Sequence, residues 1–267
     1  MRRTTLAILS LLAVPAMTGR AATQVAAVSH TADELVAKVI AVRRERGFRI
    51  RAMMTRTTPG SNVRDVRQLL IKGRREQNRS IVLYQQLWPD VPNGRALVVE
   101  DSGNHQLKGF QHESGRVTPL SNEMLGRRFF DSDLTMEDLA EDFWYWPTRS
   151  LGGEEDVGAH RTVIVNLRPE PSAASTYSLV RTWVAPDLAL GLRMQLYGRT
   201  GSLARTIGFY RILEIDGRWV PGIVTVEPTD RSSRTVIEGV ELERDRPVSR
   251  SEFTPEAVRK ELASPAP

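Results

Sequence analysis

The chain has 267 residues, with 37 Lys and Arg set against 32 Asp and Glu, and no cysteine. The missing thiols exclude disulfides, thiol catalysis, thiolate metal sites and a lipid-anchored cysteine at a processed N-terminus. Only four basic residues are lysine (Lys38, Lys72, Lys108, Lys260), and the arginines are scattered among the acids rather than gathered into one face or tract, which argues against a nucleic-acid partner.

The first stretch carries an address. Arg2 and Arg3 precede an apolar run from Leu6 to Met17, too short to span a bilayer, and small residues at Gly19 and Ala21 suit cleavage after Ala21. Residues 1–21 are expected to be a cleaved signal peptide, which makes the periplasm the expected location and leaves the mature chain free of a lipid anchor. The formal charge of +5 then falls by three to +2, since Arg2, Arg3 and Arg20 leave with the signal. Residues 22–267 have the length of one large all-β domain, expected as a monomer, with 261–267 as a disordered tail.

The mature chain opens with a helix. Thr31 is placed as N-cap with Glu34 three residues on, the reciprocal capping box, and Leu35, Val36, Val39, Ile40 and Val42 form its apolar face, with Gly47 as the expected stop. The period then changes from 3.6 to 2. Strands are predicted over 48–55, 66–72, 79–86, 94–100 and 106–112, with turns at "TTPGSN", "WPDVPNG" and "EDSGN"; "KGRREQNR" at 72–79 reads as a solvated hairpin turn. Two more strands, 163–167 and 178–184, lead into a meander of four: "LGLRMQLYG", "SLARTIGFYRILEI", "RWVPGIVTVEP" and "SRTVIEGVELE", with Asp216-Gly217 as a tight hairpin turn. About eleven strands must curl or close to bury their apolar face.

Catalytic patterns are weak. Asp101, Ser102 and His105 lie within five residues in a turn-like stretch, whereas triad members converge from separate segments. His30, His105, His112 and His160 show no metal-ligand spacing, so neither a metal nor another cofactor is expected. The serious candidate is "RRFFDSDLTMEDLAEDFWYWP", residues 127–147, where six carboxylates lie between aromatic groups. It starts like a calcium loop, but Met136 stands where the turn glycine belongs and Asp142 where a bidentate glutamate belongs. Capping fits better, with Thr135 paired to Asp138 and the acids at the positive end of a helix. Met136, Leu139, Ala140, Phe143 and Trp144 follow helical spacing, which puts Glu137, Glu141 and Asp142 towards water; Pro147 ends the helix.

The segment "FFDSDLTMEDL" (129–139) resembles the G-S-D-F-S-Y-E-D-L segment of the outer-membrane lipoprotein-sorting, LolA-like family, with Asp131 in place of the glycine and Met136 in place of the aromatic. Also similar to that family, in order, are "RTWVAPDLALGLRMQLYGRTGSLARTIGF" (181–209), "IDGRWVPGIVTVEP" (215–228), "RTVIEGVELE" (234–243) and "SEFTPEAVRK" (251–260). The resemblance implies a mainly β fold: a strongly curved, incomplete antiparallel barrel with an N-terminal helix and a short lid helix on its concave face. It implies a non-enzymatic periplasmic carrier that binds the acyl chains of a lipoprotein or other lipid and transfers them toward the outer membrane. An inner-membrane exporter of the RND type and an outer-membrane acceptor are the partners it suggests. A periplasmic sensor with the same lipid-binding fold is the alternative, and a lipid hydrolase a more distant one. In this frame the stripe Met136, Leu139, Phe143 and Trp144 is expected to close over inward-facing Phe48, Ile50, Leu83, Trp183, Leu192, Met194, Leu196 and Phe209.

Overall fold

The computed structural model describes residues 30–75, 79–101 and 106–263. The signal peptide expected at 1–21 and the turn at Ser102 to His105 lie outside the described residues, as does 264–267.

Helix α1 (Ala32–Val42) begins as its sequence dictates: Thr31 Oγ1 accepts from the Glu34 amide at 3.2 Å, and Glu34 accepts the Thr31 amide at 2.9 Å. It ends at Arg43 rather than at Gly47. Gly47 lies in the first strand, where a Cβ would stand 1.8 Å from the Arg246 carbonyl oxygen, so the glycine serves a close approach of two backbones.

Thirteen strands follow among the described residues: β1 (Glu45–Thr57), β2 (Arg64–Arg75), β3 (Ser80–Trp88), β4 (Arg95–Asp101), β5 (Lys108–Glu113), β6 (Arg116–Pro119), β7 (Thr148–Val157), β8 (His160–Arg168), β9 (Tyr177–Ala185), β10 (Leu190–Gly198), β11 (Leu203–Ile215), β12 (Arg218–Pro228) and β13 (Arg234–Arg244). All pair antiparallel in one curved open sheet of order β6-β5-β4-β3-β2-β1-β13-β12-β11-β10-β9-β8-β7. This is the expected mainly β architecture with two strands more than the periodicity showed. The additions are the two sheet edges. Strand β6 has only four residues, and β7 is exposed along nearly its whole length, so neither needs an alternating apolar face.

The edges are neighbours in sequence. Residues 120–147 leave β6 at one rim and deliver the chain to β7 at the other, and in doing so they cross the inner face of the sheet. That face carries the main core: Leu35, Val36 and Val39 of α1 pack with Tyr84, Leu97, Val165, Val180, Leu196 and Val226. A separate core on the outer face joins Ile81, Leu83, Ala96, Val98 and Phe110 to Phe253 and to Val258 of helix α3 (Pro255–Leu262). Lys72 ties this end down through Glu252 at 3.3 Å and Glu261 at 2.6 Å. The tail expected to be disordered from 261 is thus helical through Leu262, because its carboxylate and apolar side chains have partners on the sheet. Among the described residues no helix is long and apolar enough to cross a membrane.

Candidate functional site: a segment tied across the inner face

The crossing segment is built from three short pieces. Arg128 and Thr135 form a single antiparallel bridge, and between them Phe130 and Asp131 turn the chain with φ of 43° and 59°, the Ser132 amide donating to the Phe129 carbonyl at 2.8 Å. Two successive positive φ values define a tight primed turn that usually takes Gly or Asn. Asp131 suits it; Phe130 is held there by stacking on Phe129 at 4.3 Å and by the Arg95 guanidinium 4.8 Å above its ring.

Helix α2 (Met136–Ala140) follows with the predicted capping box: Asp138 accepts the Thr135 amide at 2.8 Å and Thr135 Oγ1 accepts the Asp138 amide at 3.4 Å. It is shorter than its spacing implied. Glu141 takes left-handed geometry (φ 53°, ψ 24°), and a 3-10 turn, Asp142–Tyr145, replaces the second helical turn, so Glu141 rather than Pro147 ends α2. The side chains still reach the interior. Met136, Phe143 and Trp144 are buried, Leu139 is partly buried, and all pack into the inner core. Trp146 joins them at 2% exposure, its ring 6.3 Å from that of Phe143 and edge-on to it.

The acids behave otherwise than their spacing suggested. Three of them are buried, and most of the six are gripped by donors from the sheet. Asp133 accepts from Ser233 Oγ at 2.6 Å, Thr235 Oγ1 at 2.8 Å and Arg56 Nε at 3.3 Å. Asp138 accepts from Tyr177 Oη at 2.6 Å and Arg205 Nη1 at 3.0 Å, while the same guanidinium holds the Asp133 carbonyl at 2.7 Å. Glu137, expected in water, is only 4% exposed; it accepts from the Ser175 and Thr176 hydroxyls and from the Thr176 amide at 2.9 Å. Burial pushes its carboxyl above the ordinary value, against the pull of those bonds. Burial likewise raises the Tyr177 phenol well above normal, and the charge of Asp138 adds to the rise.

Asp131, Glu141 and Asp142 do meet solvent. Asp131 pairs with Arg95 at 3.0 Å and Arg67 at 3.2 Å; burial opposes its ionisation, but the guanidiniums of Arg95, Arg67 and Arg56 hold the carboxyl below its usual range. Glu141 pairs with Arg43, the C-cap of α1, and with Arg75 at 3.4 Å. Arg67 and Arg75 lie eight positions apart on β2, roughly 26 Å of strand, so the pairs of Asp131 and Glu141 fix the segment at well-separated points. Hydroxyls, amides and guanidiniums thus take oxygens of Asp131, Asp133, Glu137, Asp138 and Glu141.

The strand residues expected beneath the lid divide by face. Phe48, Met194 and Leu196 belong to the inner core, with Ile50 and Phe209 packed against it. Leu83, Trp183 and Leu192 do not. Leu83 points outward under α3, since its neighbours Val82 and Tyr84 take the inner face. Trp183 also alternates outward, where its indole donates to Glu155 Oε2 at 2.8 Å and the Arg193 guanidinium lies 5.1 Å from its ring. Leu192 follows a change of register between Gly191 and Arg193, which inserts an extra residue and turns Leu192 out toward Ala185 and Leu188. Periodicity alone cannot see such a bulge. Gly191, just before it, lies against Thr182, whose Oγ1 would stand 2.9 Å from a Cβ there, with the Trp144 ring in ordinary contact at 3.7 and 3.9 Å.

Sequence reasoning also missed the counter-ions: Arg43, Arg56, Arg67, Arg75, Arg95 and Arg205. The available signal was the near-absence of lysine, because the planar guanidinium suits partly buried pairing with carboxylates.

Comparison with known proteins places this geometry. A family model described as that of an uncharacterized protein matches residues 77–260. No curated protein matches the chain. Among crystal structures, a DUF1329 family protein from Desulfovibrio piger is 23% identical, with 85% of this chain and 97% of that one covered at a TM-score of 0.77. An outer membrane lipoprotein-sorting protein domain from Vibrio parahaemolyticus is 15% identical, with 85% and 98% covered at 0.78. A LolA superfamily protein from Nitrosomonas europaea is 16% identical, with 85% and 99% covered at 0.69. The family model covers more than half of its length, so the chain belongs to that family of uncharacterized proteins, and over 85% of its length it shares the fold of the lipoprotein-sorting and LolA superfamily structures.

Proposed function

We propose that this chain is a non-enzymatic periplasmic carrier, exported by the signal at 1–21, that binds acyl chains of a lipoprotein or another lipid against the inner face of its sheet. The observation that carries the reading is the position of Phe143, Trp144 and Trp146. They belong to a connection between two sheet edges, yet each is no more than 4% exposed and sits in the main core.

A carrier needs release as well as capture. Each methylene buried contributes about 0.8 kcal/mol, so an acyl chain of about sixteen carbons gains on the order of 12 kcal/mol, too much for ready unloading. Lid side chains that stabilise the closed form by roughly 1.5–3 kcal/mol each offset part of that gain when cargo displaces them. Net affinity is then the difference between two burials of similar kind. Transfer toward the outer membrane, from an RND-type exporter to an outer-membrane acceptor, is the route this reading adopts.

Expression of the chain followed by solvent extraction and mass spectrometry tests it. Co-purified acyl lipid is expected. A clean apo protein whose tryptophan emission ignores added phospholipid, lysolipid and lipopeptide would refute the carrier role.

A further inference from the structure

At the end of α1, the surface dips into a depression lined by Arg43, Arg44, Arg75, Ser80 and the acids Asp101 and Glu141, among others. One carboxylate oxygen of Glu141 serves both Arg43 and Arg75, whose side chains are 25% and 28% exposed, so both guanidiniums can be reached from water. Arg43 also lies 5.8 Å from the Trp144 ring. Glu141 itself is the left-handed residue at which α2 gives way to the turn carrying Phe143 and Trp144. The Glu141 carboxylate thus fastens the start of the aromatic half of the lid through two partly exposed ion pairs, and Arg149 holds the Trp144 carbonyl at 3.0 Å, whereas residues 133–138 are held by buried bonds.

We propose that Arg43 and Arg75 form an oxyanion site for the phosphate of a lipid headgroup, which takes the place of the Glu141 carboxylate. The inference rests on the carrier reading and names its ligand class. Two guanidinium groups that share one carboxylate oxygen present forked donors suited to a phosphate bearing several acceptor oxygens. When phosphate occupies them, Glu141 loses its two side-chain partners, and residues 141–147 keep the Arg149 bond to the Trp144 carbonyl and the burial of their rings, with which cargo then competes. The headgroup therefore loosens one tie over the same ground that its acyl chain then fills.

The surroundings match. Arg218 at the start of β12 donates to the Arg44 carbonyl at 2.9 Å, which brings the end of the β11–β12 hairpin to this mouth with Leu213 and Trp219 exposed at 42% and 36%. Arginines beside exposed apolar side chains suit contact with the surface from which a phospholipid is drawn.

Calorimetric titration of the chain with palmitoyl lysophosphatidylglycerol, with monopalmitoylglycerol and with inorganic phosphate separates the possibilities. The phospholipid is expected to bind about 10-fold or more tightly than the neutral lipid, the value of one charge-assisted hydrogen bond. Arg75→Gln removes most of that preference, and Glu141→Gln, which removes the competing charge, increases it. Equal affinity for the two lipids, or a preference untouched by Arg75→Gln, overturns the headgroup site and leaves the carrier reading standing. Inorganic phosphate binding as tightly as the phospholipid, with the same loss in Arg75→Gln, assigns the arginines to free phosphate and also overturns it. Binding of neither lipid is instead the failure of the carrier reading.

Discussion

Truncation of Phe143 to alanine separates a lid from ordinary core. The ring is 3% exposed and packs 5.7 Å from Trp144 and 6.3 Å from Trp146, so its loss removes a full aromatic burial and leaves a cavity. Phe-to-Ala changes of this kind cost about 3–5 kcal/mol, on the order of a 10 °C fall in melting temperature for a domain of this size. That cost belongs to the closed form. If cargo drives Phe143 out of the core, the loaded form never had the contact, and the variant spends less to open. Counting only the transfer part, roughly 1.5–3 kcal/mol, acyl-ligand affinity rises about 10- to 100-fold as stability falls. Thermal denaturation and titration with a fluorescent fatty-acid analogue give the two numbers on one preparation. Weaker binding in the less stable variant would show that Phe143 touches cargo rather than competing with it. Unchanged binding would show that the ring never moves.

The buried anchors predict different responses. Asp133→Ala strands the Ser233 and Thr235 hydroxyls and the Arg56 guanidinium, and is expected to destabilise by roughly 2–4 kcal/mol in chemical denaturation, since Arg56 keeps part of its side chain in water; a loss below about 1 kcal/mol, the value of an exposed pair, would contradict the assignment of a buried clasp. Glu137 has a carboxyl raised by burial above its ordinary 4.5, so the folded chain holds a proton that the unfolded chain releases. The stability carried by that proton is present below 4.5 and is lost as pH rises through the raised value. Glu137→Gln keeps one acceptor oxygen, for Thr176, and turns an amide N–H to the Ser175 hydroxyl, but does not titrate, and its melting temperature is expected to lack the decline that the parent shows above pH 4.5; parallel curves would rule out Glu137 as the source.

Much of the architecture was legible because it follows from local rules. The Thr31 and Thr135 capping boxes need only residues three apart, and the β11–β12 hairpin needs only Asp216-Gly217 between alternating runs. The edge strands were invisible for the complementary reason: β7 pairs on one side and shows water almost everything else, so its composition carries no period. In the candidate site, helical spacing correctly sent Met136, Phe143 and Trp144 inward. The same spacing sent Glu137 to water, which was wrong, because spacing describes one helix and Glu137 is buried by Ser175 and Thr176, nearly forty residues later.

What the sequence by itself determined is the first helix, eleven of the thirteen strands, the antiparallel meander and the aromatic content of the crossing segment, all consequences of periodicity, turn chemistry and capping within a few residues. Only the tertiary structure decided which face Leu192 takes after a one-residue bulge, and which strands bring arginines and hydroxyls to the acids. A carboxylate has one reading in isolation, as a solvated charge. Its place here was set by donors on β1, β2, β4, β11 and β13, which the curvature of the sheet brings to one segment.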